Sequence, residues 1–246
     1  MHTSTKTDHG ARPRTPLDLE LVVPAFNEAK RLPATLRALV DFLEEQEWRS
    51  RVVVVDNGST DNTVALADAV TRHSVDVVVI GCSRPGKGAA VRRGVLSSTS
   101  RFVGFADADL STPVGTLGPV MAELATGAAA VIASRHAPGA RLVHPQSLGR
   151  RVGGTAFRVL ARQLVHDVHD TQCGFKFFER AAAQRALSGC WVNGFAFDVE
   201  LLRQIQRDGG RIVEVPVAWT NDLGSTFRPV RDGLPAFAAL LQLYQH

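Results

Sequence analysis

Long apolar runs are missing from this chain. No stretch of the 246 residues approaches the roughly 20 apolar positions that span a bilayer, and the polar start from Met1 to Pro16 has no secretory-type hydrophobic region. These absences lead us to expect a cytoplasmic protein with no transmembrane segment, preceded by a disordered tail over residues 1–16. Cysteine is also scarce. Cys82, Cys173 and Cys190 are odd in number and lack CxxC spacing, which argues against a disulfide framework or a zinc site and for buried free thiols. Among 28 basic residues only Lys6, Lys30, Lys87 and Lys176 are lysines. Arginine suits phosphate through its planar, bidentate fork. With no aromatic-interleaved basic surface, no nucleic-acid partner is expected. Finally, no strand is followed by GxGxxG, and Gly86-Lys87-Gly88 lacks the P-loop spacing, so dinucleotide and P-loop sites lose their main support.

What is present is a regular alternation. With 45% hydrophobic and 21% charged residues, the chain is long enough for a sizeable core, expected as a single domain over residues 17–246. Leu19 to Pro24 is an apolar run, Leu32 to Gln46 has helical periodicity, Val52 to Val55 is β-branched throughout, and Thr60-Asp61 opens a helix. Val75 to Ile80, the helix from Ala89 to Ser97 and Arg101 to Ala106 continue the series. Continuous apolar strands separated by helices predict an α/β architecture with a mostly parallel sheet covered on both faces. In such sheets, ligands bind beyond the carboxyl ends of the strands. The second half is less regular. A strand from Ala129 to Ala133 ends in Ser134-Arg135, and a helix from Val152 to Val165 has apolar residues on one side and Arg151, Arg158 and Arg162 on the other. A short run from Gly174 to Phe178 follows, then helices near Arg180 to Leu187 and Ala196 to Arg207, a strand from Arg211 to Trp219, and a last helix from Asp232 to Tyr244.

The strand ends carry the chemistry. Pro24-Ala25-Phe26-Asn27-Glu28, Asp56-Asn57-Gly58-Ser59-Thr60-Asp61, the loop Gly81 to Gly88, and Asp107-Ala108-Asp109 follow four successive expected strands and would converge on one crevice. Two carboxylates one residue apart suit Mg²⁺ or Mn²⁺, which prefer oxygen ligands and keep positions for substrate phosphates. An acidic turn after a strand is also an ordinary solvated loop. Asp56 with its Asn-Gly-Ser successors likewise suits an Asx-type turn, and Arg84 and Lys87 suit solvated charges on a glycine-rich loop. His166 and His169 have metal-ligand spacing but no third ligand nearby, so a surface helix end is the expectation there.

Taken together, Val23 to Glu28, Val55 to Asp61, Gly86 to Arg92 and Asp107 to Leu110 resemble the family 2 glycosyltransferases, inverting enzymes of the GT-A fold. Ile132 to Arg135, Asp170 to Lys176 and Phe195 to Leu202 look more narrowly like the branch that glycosylates dolichyl and polyprenyl phosphates. The resemblance spans about Leu19 to Ser225. It implies transfer of a hexose from a nucleotide sugar of the UDP-glucose or GDP-mannose type to a polyprenyl phosphate. Pro24, Ala25, Glu28, Asp56, Arg84, Lys87, Asp107, Ala108 and Asp109 would bind that donor, with Asp107 and Asp109 holding Mg²⁺ or Mn²⁺. Arg135, with Arg150 and Arg151, would hold the acceptor phosphate, and Asp109 and Arg135 would be catalytic.

The acceptor has an alternative. A soluble hydroxyl needs a general base, and Asp198 sits where hydroxyl-modifying relatives keep theirs. A lipid phosphate is already ionised and needs none, in which case Asp198 caps or bonds near a helix start. The branch commonly shows Gly-Ser-Lys in an acceptor loop, whereas this chain has Gly224-Ser225-Thr226-Phe227-Arg228, with Arg228 as a substitute cation. Without a spanning segment, the chain would reach a lipid acceptor as a protein peripheral to the inner face of the membrane, or use a soluble acceptor. The basic helix from Arg151 to Val165 has the pattern of a bilayer-surface helix and equally that of an ordinary half-buried one, the commoner case.

Overall fold

Valine-rich runs with no polar alternation fold here as strands buried on both faces. The computed structural model describes residues 16–70, 75–142, 148–219 and 233–245. In chain order the first half contains β1 (Leu19–Ala25), α1 (Leu32–Glu44), β2 (Ser50–Asp56), α2 (Thr63–Asp68), β3 (Asp76–Gly81), α3 (Lys87–Ser97) and β4 (Phe102–Ala106). The second half contains α4 (Leu117–Ala125), β5 (Ala130–Ser134), β6 (Arg141–Leu142), α5 (Leu148–Leu164), β7 (Phe175–Glu179), α6 (Arg180–Ser188), α7 (Phe197–Arg207), β8 (Ile212–Pro216), β9 (Ala218–Trp219) and α8 (Leu234–Leu243). Seven strands form one sheet in the order β3-β2-β1-β4-β7-β5-β8. All neighbours are parallel except β7, which runs antiparallel to β4 and β5.

Strand alternation sends side chains to two cores. Val22, Val53, Val55, Val103, Phe105 and Phe178 pack under α3, α5, α6, α7 and α8. Leu21, Val23, Val52, Val54, Phe175 and Phe177 pack under α1, α2 and α4. Helix α1 begins with Pro33 in its first turn, where the missing N–H has no intrahelical partner to lose, and buries Leu32, Leu36, Leu39, Val40 and Leu43.

The short run Gly174 to Phe178 supplies β7, the antiparallel strand in the middle of the sheet. One expectation changes. The expected single strand Arg211 to Trp219 is two pieces: β8 ends at Pro216, which has no N–H to extend the ladder, and β9 pairs instead with β6. The Val217 N–H turns back to the Ser134 carbonyl at 3.2 Å.

The β4–β7 pairing is tight. Gly104 faces Phe177 in register, and a Cβ on Gly104 would lie 2.1 Å from the Phe177 ring and 2.5 Å from the Lys176 carbonyl. Gly104→Ala should therefore destabilise the protein by about 2 kcal/mol through overpacking. Thermal unfolding checks this, and an unchanged Tm would contradict the packing described.

Candidate functional site

The first three polar strand ends are tied to one another by asparagine side chains. The Asn27 N–H donates to Ser59 Oγ at 2.9 Å and its Oδ1 accepts from the Thr60 N–H at 2.8 Å, joining the loop after β1 to that after β2. Asn57 Nδ2 donates to the carbonyls of Cys82 and Arg84, and its Oδ1 accepts from the Gly86 N–H at 2.8 Å, which joins the loop after β2 to that after β3. Asp56 accepts from the Gly58 and Ser59 N–H groups, closing an Asx-type turn while half-buried. Ala25 is buried, Pro24 half-buried and Arg84 exposed.

The fourth strand end meets β7. The Asp107 N–H donates to the Gly174 carbonyl at 2.9 Å, and its carboxylate lies against Gly174 so closely that a Cβ there would be 1.8 Å from Oδ2. Its Oδ1 is 2.6 Å from Lys87 Nζ. Burial works against the Lys87 charge, but Asp107, Asp198 and Asp109 outweigh it and hold the ammonium above the ordinary lysine range. Lys87 opens α3 because Gly86, at φ +117°, lets the loop press onto the Asn193 carbonyl, where a Cβ would approach to 2.2 Å. Ala108 is buried, and its carbonyl accepts from Thr35 Oγ1 at 2.6 Å. Asp109 Oδ1 accepts from the Ser111 N–H at 3.0 Å, and its Oδ2 is 4.0 Å from Arg31 Nη1. Glu28, expected to line the nucleotide, is buried and grips Arg31 through Nε at 2.7 Å and Nη2 at 2.5 Å. Arg31 was not legible as a site residue, because only the turn at Glu28 brings it back toward Asp109.

Asp107 and Asp109 line a small cleft with Ser111, Thr112, Gly174 and Trp219. Among the described residues no group of three His, Cys, Asp or Glu side chains is placed to hold a metal. His169 instead pairs with Glu214 at 2.5 Å. Two oxygen ligands beside a lysine fit a hard cation that takes its remaining ligands from a diphosphate and water, the habit of Mg²⁺. The Gly174 cradle and the partial exposure of both carboxylates are consistent with that use.

Asp198 begins α7 on the other side of this group. Its residue is 2% exposed, and its Oδ1 lies 2.9 Å from Nζ of Lys176, itself fully buried on β7. The contact is short but poorly directed, an ion pair more than an aligned hydrogen bond. Burial pushes the Asp198 carboxyl up, against the pull of Lys176 and Lys87, with Asp107 adding to the rise. Lys176 also donates to the Cys173 carbonyl.

Arg135, at the end of β5, is held by Asp170. Nε and Nη2 contact the two carboxylate oxygens at 2.7 and 2.8 Å, the Arg135 N–H donates to the same group at 3.0 Å, and the guanidinium lies 5.4 Å from the Trp219 ring. Two of the three guanidinium nitrogens of the expected phosphate binder, one edge, are thus taken, and Nη1 has no contact with Asp170. Beside it, Arg158 contacts His136, whose pKa is lowered by burial. Arg150 and Arg151 fall in the first turn of α5, and their side chains, like the loop with Arg228, lie outside the described residues. Burial would raise the Asp170 carboxyl, but Arg135 outweighs it and holds it well below the usual carboxylate range. A depressed carboxyl stabilises above its unfolded pKa, near 4, and loses that contribution as pH falls toward the folded value. Asp170→Asn should cost about 3 kcal/mol at neutral pH, and the Tm gap to the wild type should close below about pH 4. A gap that persists unchanged at low pH would contradict the ion pair.

Comparison with known proteins agrees with this arrangement. The chain matches the glycosyl transferase family 2 description over residues 20–187. It is 35% identical over 231 residues to the dolichyl-phosphate beta-glucosyltransferase of Homo sapiens, covering 86% of this chain and 70% of that protein. It is 30% identical over 234 residues to the protein of the same name from Dictyostelium discoideum, covering 88% and 71%. In fold it resembles glucosyl-3-phosphoglycerate synthase from Mycobacterium tuberculosis in complex with UDP, with TM-score 0.67 and 20% identity over 92% of this chain and 80% of that one. The same enzyme with Mn²⁺, UDP and phosphoglyceric acid gives TM-score 0.67 at 21% identity over 92% and 78%. The sheet with its one reversed strand is the α/β arrangement of GT-A glycosyltransferases, and the chain belongs to glycosyl transferase family 2.

Proposed function

We propose that this glycosyltransferase moves glucose, with inversion, from a nucleoside-diphosphate sugar to a polyprenyl phosphate. The observation that carries the choice of acceptor is the state of Asp198. The residue positioned to serve as a general base is buried and bound to Lys176, which leaves a hydroxyl acceptor without its base. A phosphate acceptor has no such need, because its oxygen already carries charge near neutral pH. The names of the relatives, dolichyl-phosphate beta-glucosyltransferases, support the same acceptor class and glucose as the sugar.

In this reading the tied loops after β1, β2 and β3 receive the nucleoside, with Pro24, Ala25 and Asp56 beside the base and Arg84 at the rim. Asp107 and Asp109 would hold Mg²⁺ or Mn²⁺, which would neutralise charge on the departing nucleoside diphosphate. Lys87 supplies a second positive charge to that diphosphate from the start of α3. Arg31, steered by Glu28, stands over Asp109. Arg135 holds the acceptor phosphate through its Nη1 edge, with Arg150 and Arg151 as further cations, and so fixes the attacking oxygen near the sugar. Asp170 and Trp219 hold Arg135 still for that purpose.

The lipid must be reached from outside the protein. Among the described residues no helix is long and apolar enough to cross a membrane. Helices α5 and α8 meet through Phe157 and Phe237, ring centroids 5.4 Å apart, and expose Val159, Leu234, Leu241 and Tyr244 beside Arg158 and Arg162. Exposed apolar side chains on both helices, with basic side chains on α5, fit peripheral binding at the cytoplasmic surface of an anionic membrane. Vesicles containing phosphatidylglycerol should bind the protein at low salt and release it as salt rises; binding that ignores both lipid charge and salt would contradict this docking.

Detergent-solubilised polyprenyl phosphate, incubated with UDP-glucose or GDP-mannose and Mn²⁺, tests the activity. The expected result is an acid-labile glucosyl lipid from UDP-glucose, lost on chelation. Donor hydrolysis without lipid product would overturn the proposal.

A further inference from the structure

Lys176 is the one charged side chain of β7 that points into the core. It shares a face with Phe178 by strand alternation, pairs in register with Phe105, and is fully buried. A lysine in such a place needs a partner, because an isolated buried ammonium is strongly disfavoured. Its partner is Asp198 at 2.9 Å. The pair is not remote from the donor site. Lys176 Nζ and Lys87 Nζ lie 5.5 and 5.6 Å from the centroid of the same Phe105 ring, and Asp198 acts electrostatically on Lys87. Lys87 in turn contacts Asp107 at 2.6 Å. Cation and carboxylate therefore alternate from the buried strand to the mouth of the cleft: Lys176, Asp198, Lys87, Asp107.

We propose that Lys176 is a positioning residue for the donor site. Resting on the donor reading above, it neutralises Asp198 so that Lys87 stays directed at Asp107 and at the diphosphate that binds there. Without Lys176, Asp198 is a buried carboxylate with Lys87 as its nearest compensating charge, and it draws the ammonium inward from the cleft. Without Asp198, Lys176 is a buried cation facing Lys87 across Phe105, and it disturbs Lys87 by repulsion. Removing both charges restores balance, since a buried ion pair is often replaceable by neutral groups whereas half of one is not. In this role Asp198, buried against Lys176, acts through Lys87 and not on the substrate.

The test is a double-mutant cycle on the full chain, with Lys176→Met, Asp198→Asn and their combination, reading the Kd for UDP-glucose and for GDP-mannose with Mn²⁺, and the Tm. Each single variant should weaken donor binding about 10-fold or more, and the double variant should return to within about 3-fold of the wild type. Transfer to polyprenyl phosphate should recover with it. A double variant that binds no better than the weaker single, or binding unaffected by Lys176→Met while only Tm falls, would overturn the proposal. A double variant that binds donor fully but remains as inactive as Asp198→Asn would also overturn it, because that is the behaviour of a lost base. If Lys176→Met does not fold, the comparison of Asp198→Asn with the double variant carries the same decision. A wild type that binds neither donor would sink the functional reading itself, whereas normal wild-type binding with additive losses sinks only the role of Lys176.

Discussion

The pairing of β4 with β7 is the contact on which the site depends. Because Gly104 has no side chain, β7 can lie close against β4, and because Gly174 has none, the Asp107 carboxylate can rest where β7 begins. The same pairing brings Lys176 beside Phe105 and under α7. One backbone approach thus sets both the acidic pair at the cleft and the buried charge behind it. The reversed direction of β7 matters: its start, and not its end, lies beside the carboxyl end of β4, so Gly174 and Lys176 join a site otherwise built from the ends of parallel strands.

Around that contact, charges are compensated in pairs. Glu28 holds Arg31, Lys87 holds Asp107, Lys176 holds Asp198, and Asp170 holds Arg135. The partly exposed members Asp107 and Arg135 are the ones the proposed reading assigns to ligands, and their less exposed partners orient them. Pairing at rest keeps each group in place without a substrate and leaves it able to exchange its partner for a phosphate or a cation.

Much of the placement of the strand-end loops was legible in the sequence, because its signals are local. Valine runs followed by Asp56-Asn57-Gly58 or Asp107-Ala108-Asp109 mark strand ends directly, and β–α alternation places such ends together. The rest was hidden for a physical reason. Gly174 to Phe178 is too short a run to declare its direction, and strand orientation is decided by partners far away in sequence, so Lys176 read as one charge in an apolar stretch. Asn57 and Arg31 were likewise invisible, since their roles depend on how neighbouring loops close. Trp219 looked like the end of one long strand until the break after Pro216 turned it toward Arg135. Asp198 was recognised by position, but its burial under Lys176 follows only from packing. On the proposed acceptor side, Arg150 and Arg151 come from the resemblance alone and Arg228 from a departure from it, whereas Arg135 is placed at the end of β5 and held there by Asp170.

The central claim is that the donor site is built for a nucleophile that arrives already charged. The most direct measurement compares two acceptors of one carbon skeleton, a short polyprenyl phosphate and the corresponding alcohol, with the same nucleotide sugar and Mn²⁺. The account predicts glucosyl product from the phosphate and none from the alcohol; transfer to the alcohol at a comparable rate would contradict it.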